Sequence, residues 1–340
     1  MNKQQSNSSL IRKTINFLSQ WEVQIIIIIG LIVFAGSKLS PYFINYKNQI
    51  RNSKNLVEIA LMALPMTFII ITGNIDLSVA SNLLMSAVVM AKLFENGVPI
   101  WWAVAAGILT GIVGGFLNGI LVGIVKLPAL VATLGTYTLF RGIGYTLLRD
   151  FTVKGFPESF VFIGQKLMPG TSIPAQLFLF IFFAIIFGLL LHGTTLGRYI
   201  YSIGQNEETC RYSGVPVDGV KILIFTLSGL MSAIAGMVLS ARYGSVDADV
   251  AAGYELTVIT AVVLGGVMTS GGTGSMIGVL LSLLLVSEVR LLMNLLNIQG
   301  SVQKIVFGVL LITAILLPRI FEILRVRRRM KIIQKEIEAN

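Results

Sequence analysis

Phe178-Leu179-Phe180-Ile181-Phe182-Phe183-Ala184-Ile185-Ile186-Phe187-Gly188-Leu189-Leu190-Leu191 carries no charge and no side-chain hydrogen-bonding group. In a bilayer such a run must satisfy its own backbone polar groups, and a helix does so within one segment. The window 174–192 around it has the roughly 20 mostly apolar residues that a span needs. Similar windows lie near 22–39, 56–72, 77–94, 99–125, 128–148, 218–240, 255–269, 274–296 and 302–320. The expected fold is an all-α polytopic membrane protein with about ten transmembrane helices, some broken or re-entrant. Only 12% of the 340 residues are charged and 55% are hydrophobic. An ordinary soluble domain would carry about a quarter charged residues, so that class is excluded. No soluble-domain-sized insert separates the windows. Residues 21–320 therefore read as one transmembrane domain between a polar segment 1–20 and a basic tail 321–340.

The formal charge of +10 does not point to nucleic acid, because many of the cations flank apolar windows as cytoplasmic loop residues do. The run Arg325-Val326-Arg327-Arg328-Arg329-Met330-Lys331 follows the last window directly, as an end held against anionic membrane lipid would. An even number of spans puts both ends in the cytoplasm, in agreement with Arg12 and Lys13 at the start. The first twenty residues are polar and no small-residue cleavage site follows, so the first span is expected to remain uncleaved. Lys47, Arg51 and Lys54 fall in the first outside loop and oppose this scheme. Either they sit on an amphipathic interfacial helix from Tyr46 to Leu56, or the first span is drawn in the wrong place. The outside loop from Arg149 to Ile173, with Gly155, Pro157, Pro169 and Gly170, is too polar to span and is a candidate docking surface for an external partner.

Enzymatic constellations are missing from the sequence. One cysteine, Cys210, rules out an intramolecular disulfide and reads as a reduced cytoplasmic thiol, and one histidine rules out a His-pair metal site. There is no GxxxxGK[ST] run, and the glycines from Gly265 to Gly274 do not follow the dinucleotide fingerprint. Neither a bound metal nor a cofactor is expected on this chain.

Directly after the sixth window comes a polar strip, Gly204-Gln205-Asn206-Glu207-Glu208-Thr209-Cys210-Arg211-Tyr212-Ser213-Gly214-Val215-Pro216. It is written as a complete short helix. Asn206 is a good N-cap, Glu207 and Glu208 suit the positive end of the helix dipole, and Gly214 with Pro216 supplies a stop. A capped helix in a membrane protein's loop is expected to touch a partner, and the count of spans places it in the cytoplasm.

Two segments interrupt the apolar pattern, Gly73-Asn74-Ile75-Asp76-Leu77-Ser78-Val79-Ala80-Ser81 and Gly265 to Ser275, one in each half of the chain. Paired breaks of this kind point to an inverted repeat with irregular backbone near a transport path. Asp76 is costly amid apolar sequence, about 2.5–3.5 kcal/mol at a helix centre, and so requires a partner. Its carboxylate either caps the break by accepting backbone N–H groups such as those of Ser78 and Val79, or lines a solute path with Asn74 and Ser78. Thr133 and Thr136, after the helix-initiating Pro128, either face that path or bond their own backbone or a neighbouring helix. Glu255 sits at the head of the eighth window, where a carboxylate suits the helix N-terminus. Gly107, Gly111, Gly115, Gly119 and Gly123 recur at every fourth position and form a smooth stripe for close helix packing.

Taken together, Gly73-Asn74-Ile75-Asp76-Leu77-Ser78-Val79, the run from Asn118-Gly119 to Thr136, Leu196-Gly197-Arg198-Tyr199, the strip, and Gly253-Tyr254-Glu255-Leu256 leading to Val262-Val263-Leu264-Gly265-Gly266 make a specific pattern. Over about Leu56 to Leu317 the chain resembles the permease subunit of ABC importers for monosaccharides, the ribose-type group that also includes autoinducer-2 and rhamnose permeases. It departs from that pattern at Ala80, where glycine is frequent, and at Thr273 and Ser275, where a basic residue is frequent. The resemblance implies a multi-pass protein of the bacterial cytoplasmic membrane, paired with a second permease copy, either identical or a sister chain. It implies two cytoplasmic ABC ATPase domains, which hold the ATP and Mg, and an extracytoplasmic sugar-binding protein. It also implies that Asn206, Glu207, Glu208, Arg211 and Gly214 meet the ATPase. The expected cargo is a ribose-like pentose or a related small sugar or polyol. The alternatives are autoinducer-2 or rhamnose in the same family, or a secondary sugar transporter that needs no ATPase.

Overall fold

A computed structural model describes residues 21–149 and 151–316. The polar N-terminal segment and the basic tail lie outside the described residues. The described residues are mostly helical: α1 (Trp21–Leu39), α2 (Tyr46–Ile71), α3 (Val79–Glu95), α4 (Ile100–Gly123), α5 (Ala129–Leu148), α6 (Glu158–Gln165), α7 (Ala175–Gly193), α8 (Thr195–Gln205), α9 (Glu207–Tyr212), α10 (Val217–Tyr243), α11 (Tyr254–Leu264), α12 (Met276–Leu295) and α13 (Gly300–Leu316). Among the described residues, α1, α2, α4, α7, α10 and α12 are the six helices long and apolar enough to cross a membrane. Each of the ten apolar windows contains one helix, and α6, α8 and α9 are additional short ones.

α2 and α10 form the centre. Every residue of α2 from Val57 to Ile71 is buried, which is why that stretch is apolar on all faces instead of along one stripe. α1 and α7 stand at the rim, and most of their surface faces outward. α10 packs along α4 through the glycine stripe. A Cβ added at Gly111, Gly115 or Gly119 would run into Ala233, into the Phe225 carbonyl and Gly229, or into the Ile222 backbone, respectively. Gly107 and Gly123 meet Met237 and Asp218 at the two ends of the same contact, so the helices run antiparallel.

The basic segment Lys47 to Lys54 belongs to α2 itself. The expected separate interfacial helix is instead the amphipathic start of one continuous 26-residue helix. Its polar residues are used. Asn52 Nδ2 donates to Ser287 Oγ of α12 at 2.7 Å, and Lys54 Nζ donates to the Gln165 carbonyl of α6 at 2.7 Å. One turn further, Glu58 Oε1 accepts from Arg242 Nε of α10 at 2.7 Å, and Arg242 also donates to Asn55 Oδ1 at 2.6 Å. The segment 151–174 folds back over this end of the bundle. β1 (Val153–Lys154) pairs antiparallel with β2 (Ser245–Val246), and Phe156 and Phe160 are buried beside Phe94 of α3. The α8–α9 strip lies at the opposite end, where α2 stops.

Candidate functional site

The backbone leaves helix at Thr72 and resumes it at Val79. Within this break Asp76 is buried, and among the described residues its carboxylate is met by three donors and no cation. Oδ1 accepts from Ser78 N at 2.9 Å and Ser78 Oγ at 2.7 Å, and Oδ2 accepts from Ser228 Oγ of α10 at 2.9 Å. The Val79 N–H takes no part. The network continues outward: Asn118 Nδ2 of α4 donates to Ser78 Oγ at 2.7 Å, and Thr136 Oγ1 of α5 donates to Asn118 Oδ1 at 2.8 Å. Thr133 Oγ1 bonds the Ala129 carbonyl at 2.8 Å and reaches the Ile75 carbonyl at 3.3 Å. Asn74 turns the other way and donates to Thr72. Asp76, Ser78, Thr133 and Thr136 are thus brought together with Asn118 and Ser228, which the sequence reading did not single out as site residues. An apolar groove of about 520 Å³ runs beside them between α4 and α5, lined by Met85, Leu109, Val113, Leu117 and Phe140 rather than by these polar groups.

The second break, residues 265–275, comes directly against the first. Gly272 N donates to the Ile71 carbonyl at 2.8 Å, and Tyr201 Oη of α8 donates to the Gly274 carbonyl at 2.7 Å. Gly204, the next-to-last residue of α8, completes the junction. A Cβ there would overlap the Ile71 carbonyl oxygen and the Gly272 backbone nitrogen, so only glycine lets three chain segments converge. The polar strip is therefore joined through one residue to both interruptions.

Within the strip, Asn206 Oδ1 accepts from Thr209 N at 2.9 Å and caps α9. Gly214 takes φ +80°, which ends the helix and turns the chain toward Pro216. Glu207 faces inward. Its Oε1 accepts from Arg211 at 2.9 Å and its Oε2 from Lys221 of α10 at 2.7 Å, while Arg211 also pairs with Asp218. Burial by itself would raise the Glu207 carboxyl, but the Lys221 and Arg211 hydrogen bonds outweigh it and hold the group below the ordinary glutamate value. Bonds to Asp218 and Glu207 likewise hold the Arg211 guanidinium protonated. Cys210 packs underneath. The five expected partner residues thus divide. Asn206 caps, Glu207 and Arg211 brace α9 on α10, Gly214 turns the chain, and Glu208 points outward.

Tyr212, which the sequence reading also did not single out, is 92% exposed at the tip of this brace. Its signal was available: an aromatic ring in a polar strip, two positions from the buried Cys210 and so on the other side of the helix.

The model of the family described as "Branched-chain amino acid transport system / permease component" matches residues 55–315. The L-arabinose transport system permease protein of Escherichia coli (strain K12) is 36% identical over 315 residues, covering 92% of this chain and 95% of that one. The ribose import permease protein of Bacillus subtilis (strain 168) is 36% identical over 291 residues, 85% of this chain and 90% of its own. An autoinducer 2 import system permease protein of Enterobacter sp. (strain 638) is 31% identical over 303 residues, 87% and 92% respectively. No solved structure matches the chain.

Proposed function

Because the chain belongs to the family of branched-chain amino acid transport system permease components, and is a multi-pass protein of the bacterial inner membrane, we propose that it carries a pentose or a related small sugar or polyol through an ABC importer. The names of the arabinose and ribose relatives support a pentose, and the autoinducer 2 relative keeps that ligand as the second reading. The observation that carries the mechanism is the strip: a braced helix with an exposed aromatic tip, tied through Gly204 to both helix breaks.

In this reading α9 seats in a groove of a cytoplasmic ATPase subunit that holds the ATP and Mg, with Tyr212 and Glu208 as its contacts. Asn206, Glu207, Arg211 and Gly214 keep the helix in shape. A displacement of α9 moves α8, and Gly204 passes the motion to the end of α2 and to the 265–275 break, which neighbour the Asp76 network. Asp76, Ser78, Thr133 and Thr136 then hold the wall of the path in one of two arrangements, while Asn74 holds the turn beside it. The smooth α4–α10 contact allows sliding.

Ten membrane crossings are supported by the helix in each window and by the chain's alternation between the two ends of the bundle. One interruption of the apolar pattern in each half of the chain supports an inverted repeat. The end that carries the strip is then cytoplasmic, with residues 1–20 and 321–340 on the same side of the 21–320 membrane domain. The opposite end, with its folded segment 151–174, receives a sugar-binding protein. The permease works as a pair, with a second copy or a sister chain. Co-purification with the ATPase subunit tests this: Tyr212→Ala and Glu208→Lys should each lower recovery of the complex while leaving the permease folded. Recovery equal to wild type for both would contradict the contact.

A further inference from the structure

The two ends of the 265–275 break are held by different parts of the molecule. Its far end meets the segments that the strip reaches, through Gly272 N to the Ile71 carbonyl, Tyr201 Oη to the Gly274 carbonyl and the Gly204 junction. Its near end meets α1 and α12. Trp21, the first residue of α1, donates from its indole Nε1 to the carbonyl of Leu264, the last residue of α11, at 2.8 Å. That carbonyl is one of the acceptors a helix C-terminus leaves without an intrahelical partner. The Trp21 ring lies against Gly266, where the backbone takes φ +85° and an added Cβ would overlap the ring. Glycine is therefore required at 266 both for the turn and for the ring. From α12, a Cβ at Gly278 would overlap the Gly265 carbonyl oxygen, and Ser282 Oγ donates to the Ala261 carbonyl.

A tryptophan at the end of a span ordinarily sits at headgroup level as an interfacial anchor. Trp101 and Trp102, 51% and 73% exposed at the opposite end of the bundle, fit that use. Trp21 does not, because its N–H is directed at a carbonyl 243 residues away. α1 is otherwise a rim helix that packs mainly along α12 and precedes the matched family region, 55–315. A helix so placed adds little to the core, yet its first side chain holds the root of the break. The break is thus clamped where it leaves α11 and linked to α2 and α8 where it approaches α12, with Met268 half-exposed between the two attachments.

We propose that Trp21 is a positioning residue for coupling: it pins the near end of the 265–275 break, so that motion arriving at the far end through Gly204 bends the break instead of shifting α11. This rests on the import reading above. With the pin loosened, the ATPase still turns over but each cycle moves less sugar. The test measures uptake of labelled D-ribose or L-arabinose together with ATP hydrolysis, in liposomes holding permease, ATPase and binding protein. Trp21→Phe, which keeps a ring over Gly266 and loses the N–H, should lower the sugar moved per ATP about fivefold, the weight of one neutral hydrogen bond. Trp21→Leu should lower it further, because Gly266 loses its cover as well. In both variants ATP hydrolysis and the thermal midpoint of the permease should stay at wild-type values. A merely structural contact would lower the midpoint and take hydrolysis and uptake down together; that result, or a wild-type ratio in both variants, would overturn the inference. A second measurement leaves Trp21 in place and so serves if neither variant folds: with Trp101→Phe and Trp102→Phe, Trp21 is the one indole left. A pin keeps its fluorescence equally shielded from acrylamide with and without ATP and vanadate. Quenching that rises on trapping would show a contact that opens, and would contradict the pin. A wild-type complex that hydrolyses ATP and imports neither pentose would instead overturn the import reading, and this inference with it.

Discussion

Asp76 is a carboxylate held inside a membrane bundle by two hydroxyls and a backbone amide. Asp76→Ala would leave the Ser78 N–H, Ser78 Oγ and Ser228 Oγ without their acceptor. A loss of about 1–3 kcal/mol is expected for each buried polar group left unsatisfied. Thermal unfolding of the purified permease should show a clear fall in the midpoint, and ATP-driven uptake should fall with it; normal uptake by this variant would remove Asp76 from the account. Thr133→Val disturbs less, because its strongest bond is to its own helix at Ala129. Its effect should appear in uptake more than in stability. Sequence reading recognised Asp76 as a residue in need of partners and named Ser78 among them. It did not find Ser228, 152 residues away, or Asn118 as the relay to Thr136, because serine and asparagine in apolar helices carry no pattern that names their neighbour.

At the scale of elements, the brace of α9 on α10 depends on an ionised Glu207. Its carboxyl titrates below the ordinary value of 4.5, so the stabilisation is fully present above that pH and is lost as pH falls through the lowered folded value. Limited proteolysis of the 206–216 segment should therefore stay slow at neutral pH and accelerate below about pH 4.5. Glu207→Gln should be cut at the faster rate throughout, and a pH response identical in the two proteins would contradict the brace. The buried Glu58–Arg242 pair makes a second element-scale prediction. Arg242→Ala strands Glu58 between α2 and α10 and should cost about 3–5 kcal/mol in thermal or denaturant unfolding. Replacing both with Leu should cost less, since it strands no charge. Helix placement was legible because apolar length reports it directly: all ten windows hold helices, and the cap and stop of α9 fall at Asn206 and Gly214. The continuity of α2 was not. Lys47, Arg51 and Lys54 read as part of an outside loop with its own interfacial helix, whereas α2 runs through them because neighbouring helices and α6 supply partners for its polar side chains.

For the whole molecule, the arrangement places the polar strip at one end, the folded segment 151–174 at the other, and the Asp76 network between them. At Gly204, where no side chain fits, the strip meets the end of α2 and the 265–275 break. Gly204→Ala should force Ile71 and Gly272 apart, and fluorescence-detected size-exclusion should show reduced folded yield or a complex that hydrolyses ATP without uptake. The sequence announced both Gly-rich breaks and the strip. It could not announce that they converge, since residues 71, 204 and 272 meet only through tertiary packing. In the coupling proposed above, energy enters through the exposed face of α9. It is tested most directly by uptake of labelled D-ribose or L-arabinose into liposomes holding permease, ATPase and binding protein, comparing wild type with Tyr212→Ala. Wild type should show ATP-dependent uptake and the variant at least a tenfold loss, about 1.4 kcal/mol or more of coupling, with the permease still folded. Undiminished ATP-driven uptake by Tyr212→Ala, or uptake by wild-type permease with no ATPase present, would contradict it.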